Sequence, residues 1–146
     1  MDLFQDRIFE DTLQRINQIK EGDQAQWGTM DPAQMFAHCA EVQEVLNGKE
    51  LKNSPLFIRL FKGFIRKSVL SDKPYKMSSP THPQYQVEAD RDFEIEKSRL
   101  IKALRELKKS EDFGSSTHSL FGKMSNEERS WAAYKHLDHH LRQYGK

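Results

Sequence analysis

The chain has 146 residues, 36% hydrophobic and 31% charged, with a formal net charge of +1. One domain of this size buries a single core, and so lean an apolar fraction suits amphipathic helices better than a parallel sheet buried on both faces. Near-neutral charge gives no bulk attraction to nucleic acid, and the single cysteine, Cys39, excludes an internal disulfide and any multi-cysteine metal centre.

The first predicted helix carries Phe9, Leu13, Ile16 and Ile19 at three- and four-residue steps and stops around Glu21-Gly22-Asp23. The second is sharply delimited. Asp31 is a good N-cap, Pro32 is tolerated in the first turn, and Asn47-Gly48 supplies the stop. Within it Met35, Cys39, Val42 and Leu46 form the apolar stripe, which makes Cys39 a small buried hydrophobe rather than a nucleophile.

A less regular stretch follows. Leu56, Phe57, Leu60, Phe61, Phe64 and Ile65 predict a further short helix, and Ser78, Ser79, Pro80, His82 and Pro83 an extended loop. The segment Phe57–Lys67 interleaves large apolar residues with Arg59, Lys62, Arg66 and Lys67. Packing on its own domain, a membrane-surface helix and a dimer contact all fit that pattern. A long helix is expected from about Asp92 to Ser110, with Phe93, Leu100, Leu104 and Leu107 inward. The last opens at Ser125, with Glu128 three residues on in a capping-box arrangement, and runs to Tyr144 before Gly145.

These elements predict an all-α fold: one four-helix bundle over residues 1–146, with an extra short helix and a long crossover loop. No stretch of 18 apolar residues predicts a membrane span, and the acidic N-terminus does not read as a secretion signal, so the expected location is the cytoplasm.

The last helix contains His136-Leu137-Asp138-His139-His140. At about 100° per residue, His136 and His140 lie about 40° apart on one face. Ala133, Leu137, Leu141 and Tyr144 define the inward direction, which puts His136 and His140 at its flank and His139 across the helix, near Lys135 and Arg142. His38 flanks the stripe of the second helix. Two facing helices so equipped bring three ring nitrogens to one point, as three-histidine metal sites require. Spacing alone leaves two readings open, metal ligands or hydrogen-bonded core histidines.

The stretch Trp131–Gln143, with its Lys-His-Leu-Asp-His-His-Leu-Arg-Gln run, resembles the C-terminal signature of the DinB-like superfamily. Met30-Asp-Pro-Ala-Gln-Met-Phe-Ala-His38 resembles the start of its second helix. Thr117-His118-Ser119-Leu120-Phe121-Gly122 resembles the approach to its last helix, with Ser119 in place of the usual proline. The resemblance implies a four-helix bundle whose core holds a divalent ion (zinc, nickel or iron) through His38, His136 and His140. It also implies a small-molecule substrate, with thiol-dependent transfer as one activity and a low-molecular-weight thiol as partner. Metal-dependent hydrolysis and a non-catalytic binding module remain as alternatives. His118, on the loop before the ligand helix, is either a proton-transfer group or a solvent-facing histidine. No glutamate follows His136 to make a zincin base, and no phosphate loop, dinucleotide fingerprint or Gly-x-Ser-x-Gly occurs.

Overall fold

A computed structural model describes residues 1–77, 79 and 81–146. Among them are six α-helices: α1 (Asp6–Gln18), α2 (Pro32–Leu46), α3 (Leu56–Leu60), α4 (Lys62–Leu70), α5 (Phe93–Lys109) and α6 (Asn126–Gln143). Two 3-10 turns, Pro83–Tyr85 and Glu111–Phe113, and two strands, β1 (Ser115–His118) and β2 (Gly122–Ser125), complete the described elements.

The four-helix bundle expected from the sequence is corrected here: the fold is mostly helical but is neither all-α nor a bundle of four. The short apolar stretch after residue 55 forms two helices rather than one, broken at Phe61. The approach to the last helix pairs as an antiparallel hairpin, Ser115 opposite Ser125 and His118 opposite Gly122. Four-residue strands rich in serine and glycine are too short to show an alternating apolar pattern, so sequence periodicity had no means of marking them. The closest helix pairing is α2 with α5, and α6 meets α2 over a shorter length. Ser78 and Pro80 of the expected extended loop lie outside the described residues, whereas its end at Pro83–Tyr85 is a 3-10 turn.

Local chemistry sets the boundaries of the two helices that carry the histidines. The Asp31 side chain accepts from Gln34 N–H while the Gln34 side chain accepts from Asp31 N–H, so both ends of a capping box are closed. Ser125 and Glu128 do the same for α6. Ser125 is thus the last strand residue of β2 and the N-cap of α6 at once.

The core gathers Ile16 of α1, Met35, Phe36 and Ala40 of α2, Leu100 and Leu104 of α5, Met124 of β2 and Leu141 of α6, all essentially sealed from solvent. Phe36 packs on Phe93 at 5.4 Å between ring centroids, which joins α2 to the start of α5. Polar groups close the outer edge of the same seam. The Arg99 guanidinium bridges Glu41 and Glu44 at 2.5–2.7 Å, and Asn47 donates to the Ala103 carbonyl. The hydrogen bond from Arg99 holds the Glu44 carboxyl down at about 2, so this network is ionised throughout the neutral range.

α4 is fastened to α6 by two cations. Arg66 Nη2 donates to both oxygens of the Glu128 carboxylate, at 2.7 and 2.8 Å. Lys135 is buried and donates to the carbonyls of Ser68 and Ser71 at 2.8 Å, capping the C-terminus of α4. Its position on the helical wheel had placed Lys135 on the polar side of α6, with Arg142. The covering by α4, a tertiary effect, puts it inside.

Candidate metal centre

His38 sits in mid-α2 and His136 and His140 one turn apart on α6, and the three imidazoles converge. One ring nitrogen from each lies within 4.8 Å of the others. His38 Nε2 and His136 Nε2 are 3.0 Å apart, and the His140 ring centroid is 4.7 Å from both of the other rings. Two nitrogens bound tetrahedrally at about 2.0–2.1 Å from one ion stand roughly 3.3 Å apart, so the His38–His136 separation is close to that of a ligand pair. The three histidines lie close enough to bind a metal ion.

The neighbours of the cluster fix which nitrogen is free. His38 Nδ1 lies 2.7 Å from the Tyr85 carbonyl, which only accepts, so Nδ1 carries the proton and Nε2 the lone pair. His140 Nδ1 lies 2.9 Å from Gln143 Oε1. The amide of Gln143 is oriented by its nitrogen, which donates to the Trp27 carbonyl. His140 Nδ1 therefore donates as well, leaving Nε2 as its free lone pair. Carbonyl partners of this kind orient and strengthen metal-binding imidazoles in general.

Burial also favours the neutral, ligating form. Desolvation lowers all three histidines: His38 below its ordinary value, His136 well below it, and His140 to about 3. The shift favours the neutral imidazole, which keeps one nitrogen free for an ion, over the doubly protonated form.

The rim of the cluster is aromatic. Tyr75 stands edge-on to His136 and His139, with centroids 6.5 and 5.8 Å away, and burial pushes its phenol up to about 12. His139 also meets Trp27 edge-on at 5.9 Å. It is half-buried in this aromatic wall rather than solvated. Asp138 turns away from the cluster and is held by Arg15 and Arg142, each at 2.9 Å.

His118 is not among the clustered histidines. It lies in β1, buried, and its Nδ1 accepts the N–H groups of Leu120 and Phe121, which closes the hairpin turn. Its ring stacks on Phe121 at 4.5 Å, and burial lowers its pKa to about 4. His82 is also buried, accepting from Gln84 N–H and facing the Ser54 hydroxyl at 3.1 Å.

Sequence reasoning assigned no role to Tyr85, Gln143, Trp27 or Tyr75. Gln143 carried a usable signal, since residues three apart on a helix face one another, and a metal-binding imidazole needs a partner for its second nitrogen. Tyr85 carried none, because it serves through its backbone. Gly28 is a further silent contributor. It has φ +82, and a Cβ there would lie 2.5 Å from Gln143 Nε2, so only glycine lets the Trp27 loop come this close to the orienting amide.

A family model described as a protein of unknown function (DUF1569) matches residues 4–146. The chain belongs to the DUF1569 family. The match takes in every ligand candidate and every residue that orients one, from Trp27 to Gln143. No curated protein and no solved structure matches this DUF1569 chain.

Proposed function

We propose that the chain is a divalent-metal-dependent enzyme acting on a small molecule, with His38, His136 and His140 as the protein's ligands and thiol-dependent transfer as its reaction class. The observation that carries the proposal is the convergence of three neutral imidazoles, His38 and His140 buried and His136 partly so, two with their outer nitrogens already held by carbonyl oxygens. With their outer nitrogens bonded, His38 and His140 each keep a lone pair on Nε2 that a metal ion can take. The resemblance of residues 131–143 to the DinB-like signature supports the same ligand set and is part of the proposal.

Three neutral ligands leave positions for exogenous groups, the arrangement of catalytic rather than structural sites. Zinc, nickel or iron each suits imidazole, and zinc is the first choice for a nitrogen-only set that needs no redox cycling. Bound there, the ion supplies Lewis acidity that ionises a thiol or water. The chain's own groups do the rest. Tyr85 and Gln143 keep the imidazoles aimed. Tyr75, Trp27 and His139 form an aromatic wall that limits water and offers a face to an apolar substrate. The nearest carboxylate in sequence, Asp138, is engaged by two arginines and so is not a free base. A bound thiolate and a bound hydroxide are both ready nucleophiles once ionised, and the DinB-like resemblance is what favours the thiol.

The first test is the metal content of protein purified without a histidine tag, by inductively coupled plasma mass spectrometry. About one equivalent of zinc, nickel or iron per chain is expected. A free metal concentration a hundredfold above Kd should add about 2.7 kcal/mol of stability, read as a rise in Tm of about 5–10 °C. A chain that takes up none of the three ions after reconstitution overturns the proposal.

Orientation of His140 has its own prediction. Gln143→Leu keeps the volume but removes the acceptor for His140 Nδ1. Affinity for the ion, measured by competition with a chromogenic chelator, should fall by about 10–100-fold while the far-ultraviolet circular dichroism is kept. Unchanged affinity would mean that Gln143 has no part in positioning the ligand.

A further inference from the structure

The net charge of +1 conceals a strong asymmetry. From Leu51 to Ser71 the chain carries five basic residues, Lys52, Arg59, Lys62, Arg66 and Lys67, and no acid, which leaves −4 for everything else. The same stretch contains α3 and α4, and it holds the densest exposed apolar surface of the described residues. Phe57, Leu60, Phe61 and Phe64 are 61–75% exposed. They follow steps of three, one and three residues, the spacing of one helix face, with the break at Phe61 between the two helices. Arg59, Lys62 and Lys67 are exposed alongside them.

This exposure is built in rather than a sign of loose packing. The opposite side of the pair is tied to the domain: Ile58 is buried, Val69 and Leu70 pack on the core, and Arg66 and Lys135 lock α4 to α6. The apolar side is therefore held outward with nothing of the described chain to cover it.

We propose that α3 and α4 form a docking face for an anionic phospholipid surface, on which Phe57, Leu60, Phe61 and Phe64 enter the headgroup boundary while Arg59, Lys62 and Lys67 meet lipid phosphates. Charge complementarity selects this occupant. Interleaved aromatic and cationic residues without acids are the pattern of interfacial helices, and the chain's excess of positive charge is confined to this stretch. A second copy of the chain fits less well, because a two-fold contact through this face brings the same cations against one another. The docking is interfacial: no helix of the described residues is long and apolar enough to cross a membrane.

The test is flotation of the intact protein with vesicles of phosphatidylcholine alone and of equal parts phosphatidylcholine and phosphatidylglycerol. Wild type should float with the mixed vesicles, remain behind with the neutral ones, and release as salt is raised. Lys62→Glu/Lys67→Glu should lower partitioning at least about tenfold. Phe57→Ser/Phe61→Ser/Phe64→Ser should abolish it, with circular dichroism kept in both variants because every altered residue is exposed. Folded wild type that ignores the anionic vesicles overturns the proposal. So does a wild-type dimer in light scattering that the serine variant renders monomeric, for the face then belongs to a second copy.

Discussion

His136→Ala is expected to weaken binding of zinc by at least about a hundredfold, and His136→Ala/His140→Ala to leave no stoichiometric metal after gel filtration. Structural zinc in zinc-finger peptides is held with about 10–16 kcal/mol at neutral pH, which sets the scale at several kcal/mol for each ligand. A single loss also falls on more than the nitrogen removed. His136 Nε2 is the neighbour of His38 Nε2 at 3.0 Å, and His38 has no second polar partner on that side among its hydrogen bonds. The double variant keeps only His38, a monodentate imidazole that water outcompetes. The same variants separate the ligand role from a packing role. If the three rings were a hydrogen-bonded core cluster, alanine would lower Tm of the metal-free protein and leave metal content as it was. Full metal occupancy in the double variant would remove these histidines from the site.

Phe36→Ala should cost about 3–5 kcal/mol of unfolding free energy, the largest stability change expected of any single substitution discussed for this chain. Phe36 is wholly buried, packs on Phe93, and joins α2 to α5 two residues before His38. Its removal deletes a large apolar surface and opens a cavity at the most extensive helix contact in the fold. Domains of this size hold about 5–15 kcal/mol in total, so the variant stands near the edge of folding. Urea denaturation followed by circular dichroism measures the loss from the midpoint. A cost below about 1 kcal/mol would mean that the α2–α5 seam closes over the gap, or that this packing does little to hold the fold.

The parts of this molecule that were legible in the sequence are those with a local physical cause. Asp31 with Pro32, and Ser125 with Glu128, mark the two helix starts because each cap answers to backbone groups a few residues away. His136 and His140 show as a pair because a four-residue step is a fixed rotation. The long helix over 93–109 shows because its stripe is unbroken. What escaped depends on partners far along the chain. The hairpin at 115–125 is too short and too polar to carry a period. Lys135 is polar by type and buried only because α4 lies across it. Tyr85 acts through a carbonyl, which every residue possesses. The bundle expected from four long periodic segments gave way to a fold in which the segments between them, α3, α4 and the hairpin, are structured in their own right.

The hairpin bears on how this chain tolerates changes of length. β2 ends at Ser125 and α6 begins at Asn126, with no connecting residue between strand and helix. The strand is registered against β1 by its pairing, and Met124 is sunk in the core. One residue added or removed at this joint would turn the whole of α6 by about 100° against a hairpin unable to follow. His136 and His140 would swing off the line to His38, and Leu137 and Leu141 would leave the core with them. Surface loops elsewhere absorb insertions at small cost. The step from Met124 to Asn126 is instead a fixed-length spacer, and the distance in sequence from Met124 to His140 is a constant that any working variant of this protein has to keep.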